Sequence, residues 1–251
     1  MTPVVLITGS SRGIGAATAR LAAQAGWAVA INYAREADKA HALVEQIKSE
    51  GGEAVALQAD IGVARDIARL FADLDRWLEN IGPLRGLVNN AGIVDRVERV
   101  DEMSFERVER MMRINVVSAF MCSQAGVLRM STRHGGEGGS IVNVGSAASR
   151  LGGAGQYVDY AASKGAIDSF TIGLSKEVAA ERVRVNCVRP GIIDTEIHAS
   201  GGLPNRVRDV GGQMPMGRVG LAHEVAQAVV WFLSEHSSYC SGSILDVSGA
   251  R

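Results

Sequence analysis

The sequence predicts an α/β fold: one doubly wound, seven-stranded parallel sheet with helices on both faces. Three observations lead there. Short apolar runs rich in valine, isoleucine and alanine alternate along the whole chain with longer segments of helical period. Those runs are continuous rather than alternating with polar residues, the mark of strands covered on both faces of a parallel sheet. No repeat, linker or charge block interrupts the pattern, so residues 1–251 read as one domain joined by right-handed crossovers.

The first strand, 4–8, runs into "TGSSRGIG" and a helix at 13–25. Strands then follow at 28–32, 54–59, 86–89, 140–144, 183–188 and 243–247, with helices at 36–49, 63–80, 104–131, 157–180 and 222–234. Residues 194–221 break the rhythm with two Gly-Gly pairs, Pro204, Pro215, Met214 and Met216. A connection this long inside a compact domain is usually functional. It reads as a lid near 194–217, hinged at the glycine pairs with Ile197, Met214 and Met216 as apolar contacts; a passive insertion is the alternative.

Composition narrows the function. A net charge of −1 argues against nucleic acid or an anionic membrane as the main partner. Cys122, Cys187 and Cys240 are odd in number and widely spaced, so buried reduced thiols are expected rather than disulfides. The five histidines show no ligand spacing, and no metal site is expected. The N-terminus has no basic leader, and no apolar run approaches the roughly 18 residues of a membrane span. A cytoplasmic protein is expected.

Glycines 9, 13 and 15 form Gly-x-x-x-Gly-x-Gly between a strand and a helix, a relative of the dinucleotide fingerprint. Such a turn lets the backbone approach a pyrophosphate at a helix N-terminus, whose free N–H groups and dipole attract it. A bare turn could use the same glycines. At the end of the second strand, where an acid would hold the ribose hydroxyl of NAD, stand Asn32, Tyr33, Ala34 and Arg35. Arg12 and Arg35 suit a ribose 2′-phosphate, so NADP is favoured over NAD, although Glu36 and Asp38 follow closely and all four could be plain surface charge.

Three further features gather at the carboxyl edge of the sheet, where doubly wound folds bind ligands. "LVNNAGI" carries Asn90, Ala91 and Gly92, the fifth strand leads to Ser146, and "RPGIIDTE" leaves the sixth. Asn115 interrupts an apolar helix, where asparagine is unfavourable; a satisfied core asparagine is the structural alternative to a functional one. In "YVDYAASK", Tyr160 and Lys164 lie four apart on one helix face, whereas Tyr157 is two turns from the lysine.

These motifs, in this order, closely resemble the short-chain dehydrogenase/reductase family in its compact, Rossmann-type single-domain form. More narrowly, the chain is similar to the bacterial sugar- and oxoacyl-reductase-like branch. The resemblance spans the chain from Val4 to Ser248, with a segment between Ser146 and Tyr160 slightly longer than the commonest family spacing. It implies that Tyr160 is the general acid/base, that Lys164 stabilises its phenolate and bonds the nicotinamide ribose, and that Ser146 orients the substrate oxygen. Asn115 would support a water-linked proton path to Lys164. The cofactor would be lined by Gly9, Ser11, Arg12, Gly13, Ile14, Gly15, Asn32, Tyr33, Ala34, Arg35, Asp60, Ile61, Asn90, Ala91 and Gly92, and by Tyr160, Lys164, Pro190, Gly191, Ile193 and Thr195. The expected function is an NADP-dependent oxidoreductase interconverting a small-molecule carbonyl and a secondary alcohol. A 3-oxoacyl-thioester reductase is the alternative, for which Arg206, Arg208, Arg129 and Arg133 would have to converge at the mouth. A nucleotide-binding regulatory protein without chemistry is a second one. A homotetramer is expected, because the helices at 104–131 and 157–180 are apolar nearly all round and the last strand is a sparsely charged edge.

Overall fold

The computed structural model describes all residues, 1–251. Seven parallel strands are ordered β3-β2-β1-β4-β5-β6-β9: β1 (Val4–Ile7), β2 (Ala28–Tyr33), β3 (Ala54–Gln58), β4 (Leu84–Asn89), β5 (Gly139–Val144), β6 (Val183–Pro190) and β9 (Ile244–Val247). The two remaining strands, β7 (Ile193–Asp194) and β8 (Gly220–Leu221), pair in parallel as a small separate sheet that the sequence did not foretell. Strand order reverses between β1 and β4, which opens a crevice at their carboxyl ends.

Why these residues form strands is visible in their packing. Val5 and Ile7 face one apolar cluster with Val29, Ile31 and Val142, and Val4 and Leu6 face the other with Ala28, Ala30 and Ile141. Alternate side chains therefore enter opposite layers, and both layers are dry. The first layer holds α1 (Gly13–Gln24), α2 (Ala37–Ser49) and α10 (Ala222–Leu233). The second holds α3 (Ala64–Ile81), α5 (Ser118–Met130) and α7 (Val158–Val178).

The helix expected at 104–131 is continuous but not uniform. It comprises α4 (Phe105–Met112), five residues of π-helix from Arg113 to Val117, and α5. The π turn carries Asn115, and such insertions recur at functional sites. By length and composition alone, Phe105–Met130 is apolar enough to span a membrane, more than its sequence suggested. Met111, Cys122 and Met130 are nevertheless buried within the domain, as in a core helix of a globule. Cys122 and Cys187 are buried as expected, and burial pushes both thiols up to about 12; Cys240 is only half-buried.

The segment between β7 and β8 is not irregular throughout: it contains the short helices α8 (Ile197–Ser200) and α9 (Arg206–Val210). Of the two glycine pairs, Gly211 and Gly212 face open space, whereas a Cβ at Gly201 would lie 2.9 Å from Val94 Cγ1. Met214 and Met216 line a second cavity of about 530 Å³ beside β9.

Candidate active site

A cleft of about 970 Å³ opens at the carboxyl edge between β1 and β4, and its walls gather most of the sequence-predicted residues. The glycine loop forms one end. Gly9 and Gly13 hold left-handed φ values of +60° and +57°. A Cβ at Gly9 would come within 2.9 Å of Ala91, and one at Gly15 within 2.5 Å of Asn90 Nδ2 and 2.8 Å of Ser10 Cα. Only glycine lets the two loops approach this closely. Asn90 clasps the turn, donating to the carbonyls of Thr8 (2.8 Å) and Gly9 (3.0 Å). Helix α1 starts here with no side-chain cap and no acid in its first turn. Its first N–H groups and positive dipole end therefore stay available to an anion. This cradle fits a pyrophosphate.

The end of β2 differs from expectation. Asn32 is 1% exposed and wholly engaged: Oδ1 accepts from Gly9 N–H (3.1 Å), while Nδ2 donates to the carbonyls of Leu57 (3.2 Å) and Ala59 (3.1 Å). It braces the glycine loop against β3 and does not face a ribose. Arg12 is also committed, pairing with Glu196 at 2.7 Å, while Lys39 binds the same carboxylate. Arg35 lines the cleft, is exposed, and pairs with no acid. Tyr33, Ala34, Asp60 and Ile61 also line this end, but Gly15 and Asn32 do not.

At the other end, β5 delivers Ser146 and α7 delivers Tyr160 and Lys164. Lys164 is 5% exposed; its Nζ donates to the Val144 carbonyl at 2.8 Å and lies 5.7 Å from the Tyr160 ring centroid. Burial lowers the Lys164 ammonium to about 8, with Cys187 and Asp168 opposing. Burial raises the Tyr160 phenol, and the Ser146 side chain beside it pulls it partly back. Loss of water around the ring dominates, and the lowering comes from Ser146 rather than from Lys164 as expected. Tyr160 stands protonated at neutral pH, beside a lysine poised near its own titration.

Asn115 is not on the cleft wall. Its Oδ1 accepts from Ile93 N–H (2.8 Å), and its Nδ2 donates to the Ile93 carbonyl (3.0 Å) and Ser163 Oγ (3.1 Å). The π turn aims it at the loop after β4. A Cβ at Gly92 would lie 3.3 Å from Asn115 Oδ1 and 3.5 Å from Lys164 Nζ, so Gly92 packs directly between the two side chains.

These motifs sit in a chain with many relatives. A family profile described as short chain dehydrogenase matches residues 3–203. The chain belongs to the short-chain dehydrogenase/reductase family. An Escherichia coli K12 protein called "Uncharacterized oxidoreductase YgfF" is 51% identical over 99% of both chains. The "3-oxoacyl-[acyl-carrier-protein] reductase FabG" of Pseudomonas aeruginosa is 36% identical, covering 98% of this chain and 96% of that one. Among solved structures, the angucycline C-6 ketoreductase LanV with bound NADP superposes with a TM-score of 0.90 at 33% identity, over 98% of this chain and 94% of that one. A Serratia marcescens short-chain dehydrogenase/reductase gives 0.87 at 31%, over 99% and 97%. The chain is therefore an oxidoreductase with a Rossmann-type fold, acting on carbonyl or alcohol groups of small molecules.

Tyr157, off the motif position and readable from the sequence as a pocket wall or as simple packing, is a wall of the cleft: its ring meets Tyr160 edge-on at 5.9 Å, and its hydroxyl accepts from Arg206 at 2.5 Å. Other residues of this short-chain dehydrogenase/reductase site were not legible beforehand. Arg107 on α4 holds Asp159, the residue before Tyr160, through Nε at 2.9 Å, and Glu98 through Nη1 at 2.7 Å. Thr8 Oγ1 accepts from the N–H groups of Asn90 and Ala91, both at 3.1 Å. The extra residues between Ser146 and Tyr160 form α6 (Ala148–Leu151) and a turn with left-handed Gly152, Gly153 and Gly155. Arg129 and Arg133 do not reach the mouth. Arg129 pairs with Asp75, Arg133 pairs with Glu181, and both sit where the chain enters β5, at the opposite edge of the sheet.

Proposed function

We propose that this chain is an NADP-dependent reductase of a small carbonyl compound, with the reverse alcohol oxidation as its microscopic counterpart. The observation that carries the reading is Tyr160 between Ser146 and Lys164 on the wall of a cleft whose far end is an anion cradle. When bound, the nicotinamide cofactor supplies the hydride. Gly9, Gly13, Ile14, Asn90 and Thr195 would hold it, with Arg35 free for a 2′-phosphate. As hydride reaches the carbonyl carbon, Tyr160 gives its phenolic proton to the oxygen and Ser146 donates a hydrogen bond to the same atom. The Lys164 ammonium stabilises the phenolate left behind. A phenol raised above its ordinary value keeps its proton at neutral pH, so Tyr160 stands loaded for reduction, and the Ser146 hydroxyl and Lys164 ammonium ease the proton's release.

The related 3-oxoacyl reductase from Pseudomonas aeruginosa keeps an acyl-thioester substrate as the second reading. The absence of Arg129 and Arg133 from the mouth weighs against a large acidic carrier docking there. Consumption of NADPH against a panel of ketones, sugars and acyl thioesters tests the reading; no turnover of any would refute it.

The same proposal places the enzyme in the cytoplasm as a homotetramer. Phe120 and Phe170 stack at 3.8 Å on the outer side of α5 and α7, flanked by exposed Val117, Leu128 and Ile172. The edge strand β9 exposes Leu245, and Trp231 and Tyr239 before it are exposed as well. Two distinct self-complementary faces generate D2 symmetry. A monomer mass by light scattering would refute it.

A further inference from the structure

Arg206 opens α9 on the wall of the cleft, on the side of the segment that joins Ser146 to Tyr160. Its Nη2 donates to Tyr157 Oη at 2.5 Å and reaches Gln156 Oε1 at 3.4 Å. The guanidinium carbon stands 5.4 Å from the Tyr157 ring centroid, and that ring packs 5.9 Å from Tyr160. The guanidinium is half-buried, yet no carboxylate pairs with it, and its Nε and Nη1 donate to no protein acceptor. This is unlike its neighbours: Arg12 is held by Glu196, and Arg110 by Asp95. Asp95, the acid on this side of the cleft, is therefore already neutralised, and its carboxyl is held below the usual range in part by Arg110.

We infer that the substrate carries an oxyanion, a carboxylate or a phosphate, which Arg206 binds while Tyr160 addresses the carbonyl. The inference rests on the reductase reading above. With Nη2 held by Tyr157 and Gln156, the guanidinium still offers the N–H of Nε and both N–H groups of Nη1, charge-assisted donors suited to an oxyanion. Ile197 and Leu203, half-buried apolar residues of the same segment, also line the cleft, so one unpaired cation there weighs more than at an open surface. The cofactor does not account for this charge. The glycine loop meets Thr195 and Glu196, upstream on the segment, whereas the Arg206 guanidinium donates to Gln156 and Tyr157 and stands near His198. With one tyrosine ring between Arg206 and Tyr160, the anion stands only a few carbons from the reacting carbonyl. Short oxo acids and phosphorylated hydroxyketones are the fitting classes.

The test compares charged and neutral twins with NADPH and the full-length enzyme: levulinate against its methyl ester, and dihydroxyacetone phosphate against dihydroxyacetone. The charged member should show a kcat/KM about ten- to a hundredfold higher, the effect of one charge-assisted contact, and the better of the two pairs identifies carboxylate or phosphate. In Arg206→Ala that ratio should fall to within about threefold, chiefly through KM, and Arg206→Lys should keep part of it. Tyr157→Phe, which removes the acceptor and leaves the guanidinium, should keep the preference. A wild type that favours the neutral twins, or an Arg206→Ala variant that loses both twins equally, would overturn the inference and mark Arg206 as a clasp for α9. If no ketone were reduced, the reductase reading would fail on its own. Calorimetric titration of levulinate and dihydroxyacetone phosphate into the NADP⁺-loaded protein then decides the anion site separately. Binding abolished by Arg206→Ala upholds it, and no binding to the wild type ends it.

Discussion

Removing Arg107 should destabilise the fold far more than an average substitution. Its side chain is 9% exposed, and Asp159, which it grips through two nitrogens, is 2% exposed. Glu98, its other partner, is 34% exposed and can be resolvated. Arg107→Ala therefore strands one carboxylate, not two. An uncompensated buried charge of this kind costs about 3–5 kcal/mol. In a chain of 251 residues that corresponds to a melting temperature lower by roughly 6–20 °C. Urea unfolding of the cofactor-free protein, followed by circular dichroism at one fixed protein concentration, measures the difference. The double variant Arg107→Met with Asp159→Leu should recover most of the loss, since an apolar pair of similar volume removes the stranded charge. A single variant within about 0.5 kcal/mol of wild type, or a double variant as damaged as the single, would refute the reasoning. The pair also anchors the first turn of α7 to α4, so its loss loosens the turn that carries Tyr160.

The pH profile should carry the mark of Lys164. Its ammonium is lowered to about 8 and must be charged to support the Tyr160 phenolate, so kcat/KM for reduction should fall as pH rises through about 8. Tyr160 itself is raised, stays protonated there and adds no earlier limb; a profile flat to pH 10 would contradict this. For the cofactor, NADPH should bind more tightly than NADH, and Arg35→Ala should narrow the gap by about tenfold or less because the side chain is exposed. Equal dissociation constants in the wild type would remove the basis for NADP. Finally, amide exchange across 194–217 should slow on adding NADP⁺ with a ketone, with Gly211 and Gly212 as the freer hinge. Unchanged exchange would make the segment a passive insertion.

The sheet was legible because each strand is a continuous apolar run that the two-layer burial requires, and only the short pair β7 and β8 escaped. Two-residue strands leave no periodic signal to read. The reacting group was legible because Tyr160 and Lys164 are spaced by one helical turn, a local relation. What remained hidden was side-chain direction. Asn32 and Arg35 are close in sequence, yet one turns inward to brace Gly9 and the other faces the cleft. Asn115 looked like a helix interruption, and its reason is a π turn that no residue pattern announces. Long-range pairings were equally invisible: Arg107 with Asp159, Arg12 with Glu196, and Arg206 with Tyr157 join positions far apart in the chain.

Two tyrosines three residues apart line the same cleft, 5.9 Å from each other, and only Tyr160 is one turn from Lys164. Steady-state reduction of one accepted ketone by Tyr160→Phe and Tyr157→Phe, side by side, is the most direct test of the account. Tyr160→Phe should lose about 10²–10⁴ in kcat while binding NADPH nearly as tightly as wild type, because only the proton donor is gone. Tyr157→Phe should stay within about tenfold, since it gives up a hydrogen bond to Arg206 and no proton to the substrate. Equal losses in the two variants, or a Tyr160→Phe enzyme close to wild type, would contradict the assignment of Tyr160 as the acid.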